Sequence, residues 1–304
     1  GYGDARHLPT VLVENHSLKP YRQRVLGTYV FLEAAMRLLG ETQDTLADAI
    51  EADRSARRAT VPLSWAVAPR DTLSERPAMP LKGVRSELQE SWVTGSDYVV
   101  WTGEPVEQEI PLFSMTAVST RADRPANYFI PGAWSDVTDL LELHGIEVSR
   151  LSEPTTLPVQ MYRLPEAAMA SDAFEGRARV RPGPMVLEQH TITLMPGAAI
   201  VSTDQELGDL AVLLLEPDSP DSFFQWGFFL EILQRTEYVE EYIMEPTARN
   251  MMAADPALRT AFESQLAADS VFAESRRPRI QWFYERTPYF DERYLLYPVG
   301  RSIP

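Results

Sequence analysis

Hydrophobic and polar positions divide the chain into a short opening stretch of α/β character and a longer, strand-rich remainder. Val11, Leu12 and Val13 form an uninterrupted apolar run with two β-branched members, the pattern of a short strand buried on both faces of a sheet. Pro20 then suits the first turn of a helix, where its missing N–H has no partner to lose. Val25, Tyr29, Leu32, Met36 and Leu39 recur at helical spacing and predict one apolar face over residues 20–39, with Gly40 as the stop. A second, more polar helix is predicted over Thr45–Ala59. Prolines and polar residues accumulate over 59–80, which places a boundary there.

Past that boundary the period shortens. Ser91–Thr94 and Tyr98–Trp101 are rich in β-branched and aromatic residues and flank the turn signal Gly95-Ser-Asp97, so they predict a hairpin. Val118–Ile130, Glu147–Leu151 and Thr155–Tyr162 read as extended, with a helix over Val137–Leu143 between them. Arg177–Arg181 and Val186–Leu194 predict a strand pair across Pro182-Gly-Pro184, the alternating arginines marking a solvated face. Ala211–Leu215 reads as a buried strand, and from Tyr238 the chain is mainly helical, with Pro246–Ala254, Pro256–Ala268 and Ser270–Glu274 each opening on a capping-type start. An aromatic, proline-containing tail is expected to pack back on the sheet. The fold class is therefore α/β followed by α+β with mainly antiparallel strands.

Composition narrows the partners. A hydrophobic fraction of 44% and a charged fraction of 24% are those of a globular chain. No apolar run reaches the ~20 residues of a membrane span. The formal charge of −16 opposes binding to nucleic acid, whose phosphates it repels. With no cysteine, neither a disulfide nor a thiolate metal site is available.

Polar chemistry gathers where the first apolar run ends. Glu14 follows it at once, with Asn15, His16, Ser17 and Lys19 behind. Ligands of open α/β sheets bind at the carboxyl ends of the strands, so Glu14 stands where a sheet enzyme places a working acid. From spacing alone, an acid that caps the next loop accounts for it equally well. His16 and Lys19 are candidates to line such a site or to meet a substrate carboxylate, against the plainer role of loop hydrogen bonding. His144-Gly-Ile-Glu147 is formally a His-x-x-Glu metal pair, but Gly145 just past an amphipathic helix reads as its C-terminal cap. The dense aromatic run Phe223–Phe229 reads first as core and second as a platform for a peptide or glycan.

Leu12-Val-Glu-Asn-His-Ser-Leu-Lys-Pro-Tyr-Arg-Gln-Arg-Val25 resembles the last catalytic strand and loop of the M14 (carboxypeptidase A-like) zinc carboxypeptidases, in particular bacterial members with a long C-terminal extension. The likeness continues in Leu143-His-Gly-Ile-Glu147, Leu214-Leu-Glu-Pro-Asp-Ser-Pro-Asp-Ser222, Gln225-Trp-Gly-Phe-Phe229 and Phe283-Tyr-Glu-Arg-Thr-Pro-Tyr289. It implies that residues 1–60 are the C-terminal end of the catalytic domain, a remnant of its mixed sheet, and that 61–304 form a larger α+β accessory domain. It implies further that Glu14 is the general base of a peptide-bond hydrolase whose complete form uses zinc. The zinc ligands are then expected upstream of Gly1, so that this chain begins inside the catalytic domain, holds no metal ligand, needs the upstream part as a partner and is inactive alone. Arg6 and Tyr2 become candidate contacts to the peptide substrate, alongside His16 and Lys19. Export to the periplasm or extracellular space follows by the same resemblance. The alternative is a non-catalytic peptide- or glycan-binding module centred on the aromatic run.

Overall fold

A computed structural model describes residues 1–17, 19–68, 76–235 and 239–303. Its contacts divide the chain into two compact units, Ala59–Asp123 and the combination of Gly1–Arg58 with Arg124–Pro304. This differs from a single division near residue 60, because the chain leaves the larger unit, forms the smaller one and returns. Residues 69–75 of the expected linker lie outside the described residues.

The larger unit opens with α1 (Tyr2–Ala5) and α2 (Tyr21–Ser55). The two helices expected over 20–59 are one helix of 35 residues, roughly 50 Å long at 1.5 Å per residue. Gly40 does not stop it. A glycine inside a helix costs about 1 kcal/mol relative to alanine, and the good helix formers on either side outweigh that. Pro20 is its N-cap rather than a first-turn residue. No residue of α2 is buried, and the stripe expected to be core is exposed, Tyr29 by 65% and Met36 by 74%. The apolar run before it is not a strand either. Val11 and Leu12 are exposed in irregular chain, because no strand among the described residues lies beside them to pair with.

His7 fastens this N-terminal segment to the rest of the unit. Its ring is buried, with Nδ1 2.6 Å from Asp53 Oδ2 near the end of α2 and Nε2 2.9 Å from the Glu206 carbonyl oxygen. Both ring nitrogens thus face acceptors. Its backbone sits at φ +58°, a left-handed conformation that a non-glycine residue holds only when its surroundings over-determine it. Arg54 pairs with Glu206 at 3.1 Å beside it.

The smaller unit contains β1 (Thr60–Val67), β2 (Ala78–Glu90), β3 (Asp97–Pro111) and β4 (Met115–Asp123), paired antiparallel as β1 with β4 and β2 with β3. Ser91–Thr94, expected as strand, is the turn of the β2–β3 hairpin. Ser91 Oγ accepts from the amides of Val93 and Thr94, and Gly95 takes the positive φ that lets the chain reverse.

In the larger unit follow β5 (Asn127–Ile130), α3 (Ser135–Leu143), β6 (Ser149–Arg150), β7 (Thr155–Arg163), β8 (Ala168–Phe174), β9 (Arg177–Arg181), β10 (Val186–Leu194), β11 (Ala199–Ser202), α4 (Gly208–Leu215), α5 (Glu241–Ala254), α6 (Pro256–Ala268), α7 (Ser270–Glu274), α8 (Arg276–Tyr284) and β12 (Gly300–Arg301). Six strands form an antiparallel sheet in the order β10-β7-β12-β5-β11-β6. β9 pairs with β8 across the Glu175-Gly176 turn, not with β10, which lies against β7 instead. Ala211–Leu215 is helix rather than strand, since a short apolar run carries no period to separate the two. The tail does return to the sheet and enters its middle. There Gly300 lies so close to Val159 that an added Cβ would come 3.2 Å from the valine side chain.

One face of the sheet buries Phe129, Val159, Met161 and Leu194. Through the other runs a largely buried polar chain. Glu216, 1% exposed, accepts a hydrogen bond of 2.6 Å from the Tyr128 hydroxyl and lies 3.1 Å from Arg301 Nε. Arg301 also donates to the Tyr162 hydroxyl at 2.5 Å, and Tyr297 donates to the Leu215 carbonyl at 2.9 Å. Burial pushes the Glu216 carboxyl above the ordinary range against the pull of Arg301, and pushes the Tyr128 phenol well above its own. A separate apolar cluster of Met244, Ala248, Phe262, Phe272, Phe283 and Tyr284 holds α5–α8 together. Asp255 and Asp269 cap α6 and α7, as the sequence predicts, while Pro246 lies inside α5 rather than at its start.

Removing one partner of the buried pair strands the other. Arg301→Met is expected to destabilise the larger unit by about 3–5 kcal/mol in urea unfolding, and adding Glu216→Gln should recover much of that loss. Equal stability of the single and double variants would show that the pair carries no such penalty. The His7 clasp gives a pH dependence of definite sign. The His7 hydrogen bond holds the Asp53 carboxyl below its ordinary value of 3.8, so the clasp contributes fully above that value and is lost as acid protonates the group below it. Amide exchange at His7 and Leu8 should accelerate over that acid range, and in Asp53→Asn it should be fast throughout.

Candidate active site

Glu14 lies between α1 and α2, where the described residues from Pro9 to Pro20 have no regular structure. Glu14 is exposed, and among the described residues no hydrogen bond or ion pair engages its carboxylate. His16 and Lys19 share a turn in which the Lys19 amide donates to the His16 carbonyl at 3.1 Å, and both residues are exposed. Asn15 Nδ2 donates to Thr28 Oγ1 at 2.6 Å, and Thr28 Oγ1 donates to the Arg24 carbonyl at 3.0 Å. The loop is thereby tied to the second turn of α2. Val25, Tyr29, Leu32, Met36 and Leu39 then continue from that turn as an exposed apolar stripe, in alternating steps of four and three.

Tyr2 and Arg6 are placed elsewhere. The Tyr2 hydroxyl lies 2.7 Å from His144 Nδ1, and Arg6 donates to the His144 carbonyl and to the Tyr2 hydroxyl. The structure thus brings Tyr2, Arg6 and His144 together around the end of α3. Among the described residues no hydrogen bond joins them to the Glu14 loop.

His144 and Glu147 are not arranged as a metal pair. Gly145 takes φ +85° and donates to the Glu142 carbonyl, and Ile146 donates to the Leu141 carbonyl, which closes α3 as the glycine predicts. The Glu147 amide and carbonyl are both held by the Gln205 side chain. Burial and the neighbouring Arg6 lower the His144 pKa. Among the described residues no group of three or more histidine, aspartate or glutamate side chains gathers where a metal ion would sit.

The aromatic run divides between interior and surface. Phe223, Phe224 and Phe229 are buried, the last two edge-on to Tyr297. Trp226 and Phe228 are half-buried beneath arginines, with the Arg179 guanidinium 4.2 Å from the Trp226 ring centre and that of Arg177 4.5 Å from Phe228. The alternating arginines of β9 are therefore not merely solvated, since two of them pave aromatic rings. The sequence reading passed over Thr28 and Asp53, because nothing local in the sequence marks a hydrogen bond that spans 13 or 46 residues.

Over 110 residues the chain is 32% identical to Carboxypeptidase 2 of Trichophyton rubrum, a match that takes in 36% of this chain and 20% of that protein. Carboxypeptidase 2 of Trichophyton tonsurans and that of Trichophyton equinum are each 32% identical over 111 residues, with the same shares. The match spans about a fifth of the length of these curated relatives. No family model matches the chain, and no solved structure does. At low identity and over part of its length, then, the chain is related to proteins named as carboxypeptidases.

Proposed function

We propose that this chain is part of a carboxypeptidase of the zinc-dependent M14 type, with Glu14 as the general base of peptide-bond hydrolysis at a substrate C-terminus. The observation that carries the reading is the state of Glu14. Among the described residues the carboxylate is exposed and unengaged at the end of an apolar run, and the apolar stripe of the helix that follows is exposed. An acid that only capped its own loop would be taken up by loop amides. A free carboxylate is what a general base requires, since it must accept a proton from the attacking water and pass it to the leaving amine. The resemblance of residues 12–25 and the partial likeness to carboxypeptidases support the same assignment.

The residues of this chain do not fit a zinc site. Among the described residues, His7 is engaged by Asp53 and Glu206, His144 by Tyr2, and His190 by Glu188, and no group of three or more histidine, aspartate or glutamate side chains gathers as a metal site. The metal's holders belong, on this reading, to the upstream part of the catalytic domain, which would also cover Val11–Val13 and the stripe of α2. His16 and Lys19 remain candidate contacts to the peptide because they share the loop of Glu14. Tyr2 and Arg6 are less suited to that role, since both are spent on His144. No described helix is long and apolar enough to cross a membrane, and the proposed location, periplasmic or extracellular, rests on the resemblance. The rival peptide- or glycan-binding reading is weakened because the aromatic run supplies its rings to the core or to arginines.

In the complete enzyme, Glu14→Gln is expected to lower kcat by about 10²- to 10⁴-fold, the usual contribution of general acid–base catalysis, with zinc content unchanged. Hydrolysis at the wild-type rate in that variant would remove Glu14 from the mechanism. The chain by itself is expected to show no peptidase activity in an assay of C-terminal amino-acid release.

A further inference from the structure

We infer that Thr28 is a positioning residue for Glu14, acting through Asn15; this inference rests on the reading of Glu14 as general base. The loop from Pro9 to Asn15 has no sheet or helix to hold it. Among the described residues, the hydrogen bond that reaches from it to α2 is the one from Asn15 Nδ2 to Thr28 Oγ1, at 2.6 Å. It has a fixed direction. The single hydroxyl proton of Thr28 is committed to the Arg24 carbonyl four residues back, so the oxygen offers only lone pairs and its partner must be a donor. The amide nitrogen of Asn15 supplies one, whereas a carboxylate at the same place has none to give.

The tie acts on Glu14 through one peptide bond. Tying the Asn15 side chain to a helix restrains the backbone at Asn15, and with it the position of the neighbouring Glu14 Cα and the direction of its Cα–Cβ bond. A base must come within about 2.6–3.2 Å of the proton it takes, and displacement of about 1 Å costs on the order of 10²-fold in rate. Thr28 is also a poor choice on helix propensity alone. Threonine ranks well below alanine at a helix position, so a role in holding the loop accounts for its presence on a face that buries nothing.

The test uses the complete enzyme that contains this chain. Thr28→Val keeps the shape and the β-branch and removes the acceptor. It should lower kcat about ten- to a hundredfold with KM and thermal stability unchanged, and Thr28→Ser should restore the rate. Asn15→Asp, which replaces the donor with acceptors, should lose as much, and the Asn15→Asp/Thr28→Val double variant should be no worse than either single one. In a Glu14→Gln background, Thr28→Val should add nothing. An inactive Glu14→Gln together with an unaltered kcat in Thr28→Val would overturn this inference and leave the general base in place. A slow Thr28→Val that serine does not rescue, or losses that multiply in the double variant, would overturn it as well. A fully active Glu14→Gln would instead refute the assignment of the base.

Discussion

Taking a carboxylate and a guanidinium out of water is costly, and the larger unit does so with Glu216 and Arg301. Each ion alone would cost several kcal/mol to bury, and their attraction offsets this only where hydrogen bonds complete the shell. Tyr128 and Tyr162 supply those bonds: both hydrogen-bond Glu216, and the Tyr162 hydroxyl also accepts from Arg301. To deliver Arg301 the chain end must reach the middle of the sheet, and to fit there it needs a residue without a side chain, Gly300, against Val159. Glu216 must likewise arrive from the end of α4, after six residues of apolar helix. β5, β7, α4 and the last residues of the chain therefore share one electrostatic requirement, and none can leave without exposing a charge to an apolar interior. The four described residues of the pair and its tyrosines come from positions 128 to 301, so the unit is held by contacts of long sequence range.

α2 presents the opposite case. Helices in proteins draw most of their stability from packing an apolar face, and this one of 35 residues buries none. Its tether at the far end is polar: His7 on Asp53, Arg54 on Glu206. An apolar stripe left in water beside an apolar run left in water is a surface that gains free energy by being covered. That the candidate acid lies at the start of the same surface links the two features.

Elements with a clear period or a clear cap were legible in the sequence. Gly145 closing α3, Asp255 and Asp269 opening α6 and α7, and the β7 run all rest on local chemistry that tertiary context did not override. The misread segments share a different property. Ala211–Leu215 is apolar throughout, so helix and strand are equally compatible with it. Val11–Val13 has the composition of a strand but nothing to pair with. Gly40 is a stop only where the following residues do not favour helix. The pairing of β9 with β8 rather than β10 was hidden because two adjacent hairpins were available and the turn Glu175-Gly176 is the shorter. Of the candidate site, the switch between apolar and polar residues singles out Glu14 in the sequence, but the strand expected before it is exposed irregular chain, and the Asn15–Thr28 tie and the diversion of Tyr2 and Arg6 to His144 depend on the fold.

On the proposed reading of Glu14 as a general base, the acid has two needs that this chain meets unequally. It needs orientation, which on the same reading comes from the polar tie between Asn15 and Thr28 of α2. It also needs surroundings of low dielectric, because a carboxylate in bulk water competes with solvent for every proton it might take and its field is screened about twentyfold relative to an apolar interior. Glu14 as it stands is exposed, so the second requirement is unmet by these residues. On the proposed reading, the body that covers the exposed stripe of α2 is also the one that would exclude water from the loop at its N-terminal end. Orientation from inside the chain and desolvation from outside it are then separable contributions. A chain that has the first without the second is expected to hold its acid in place and yet do no chemistry.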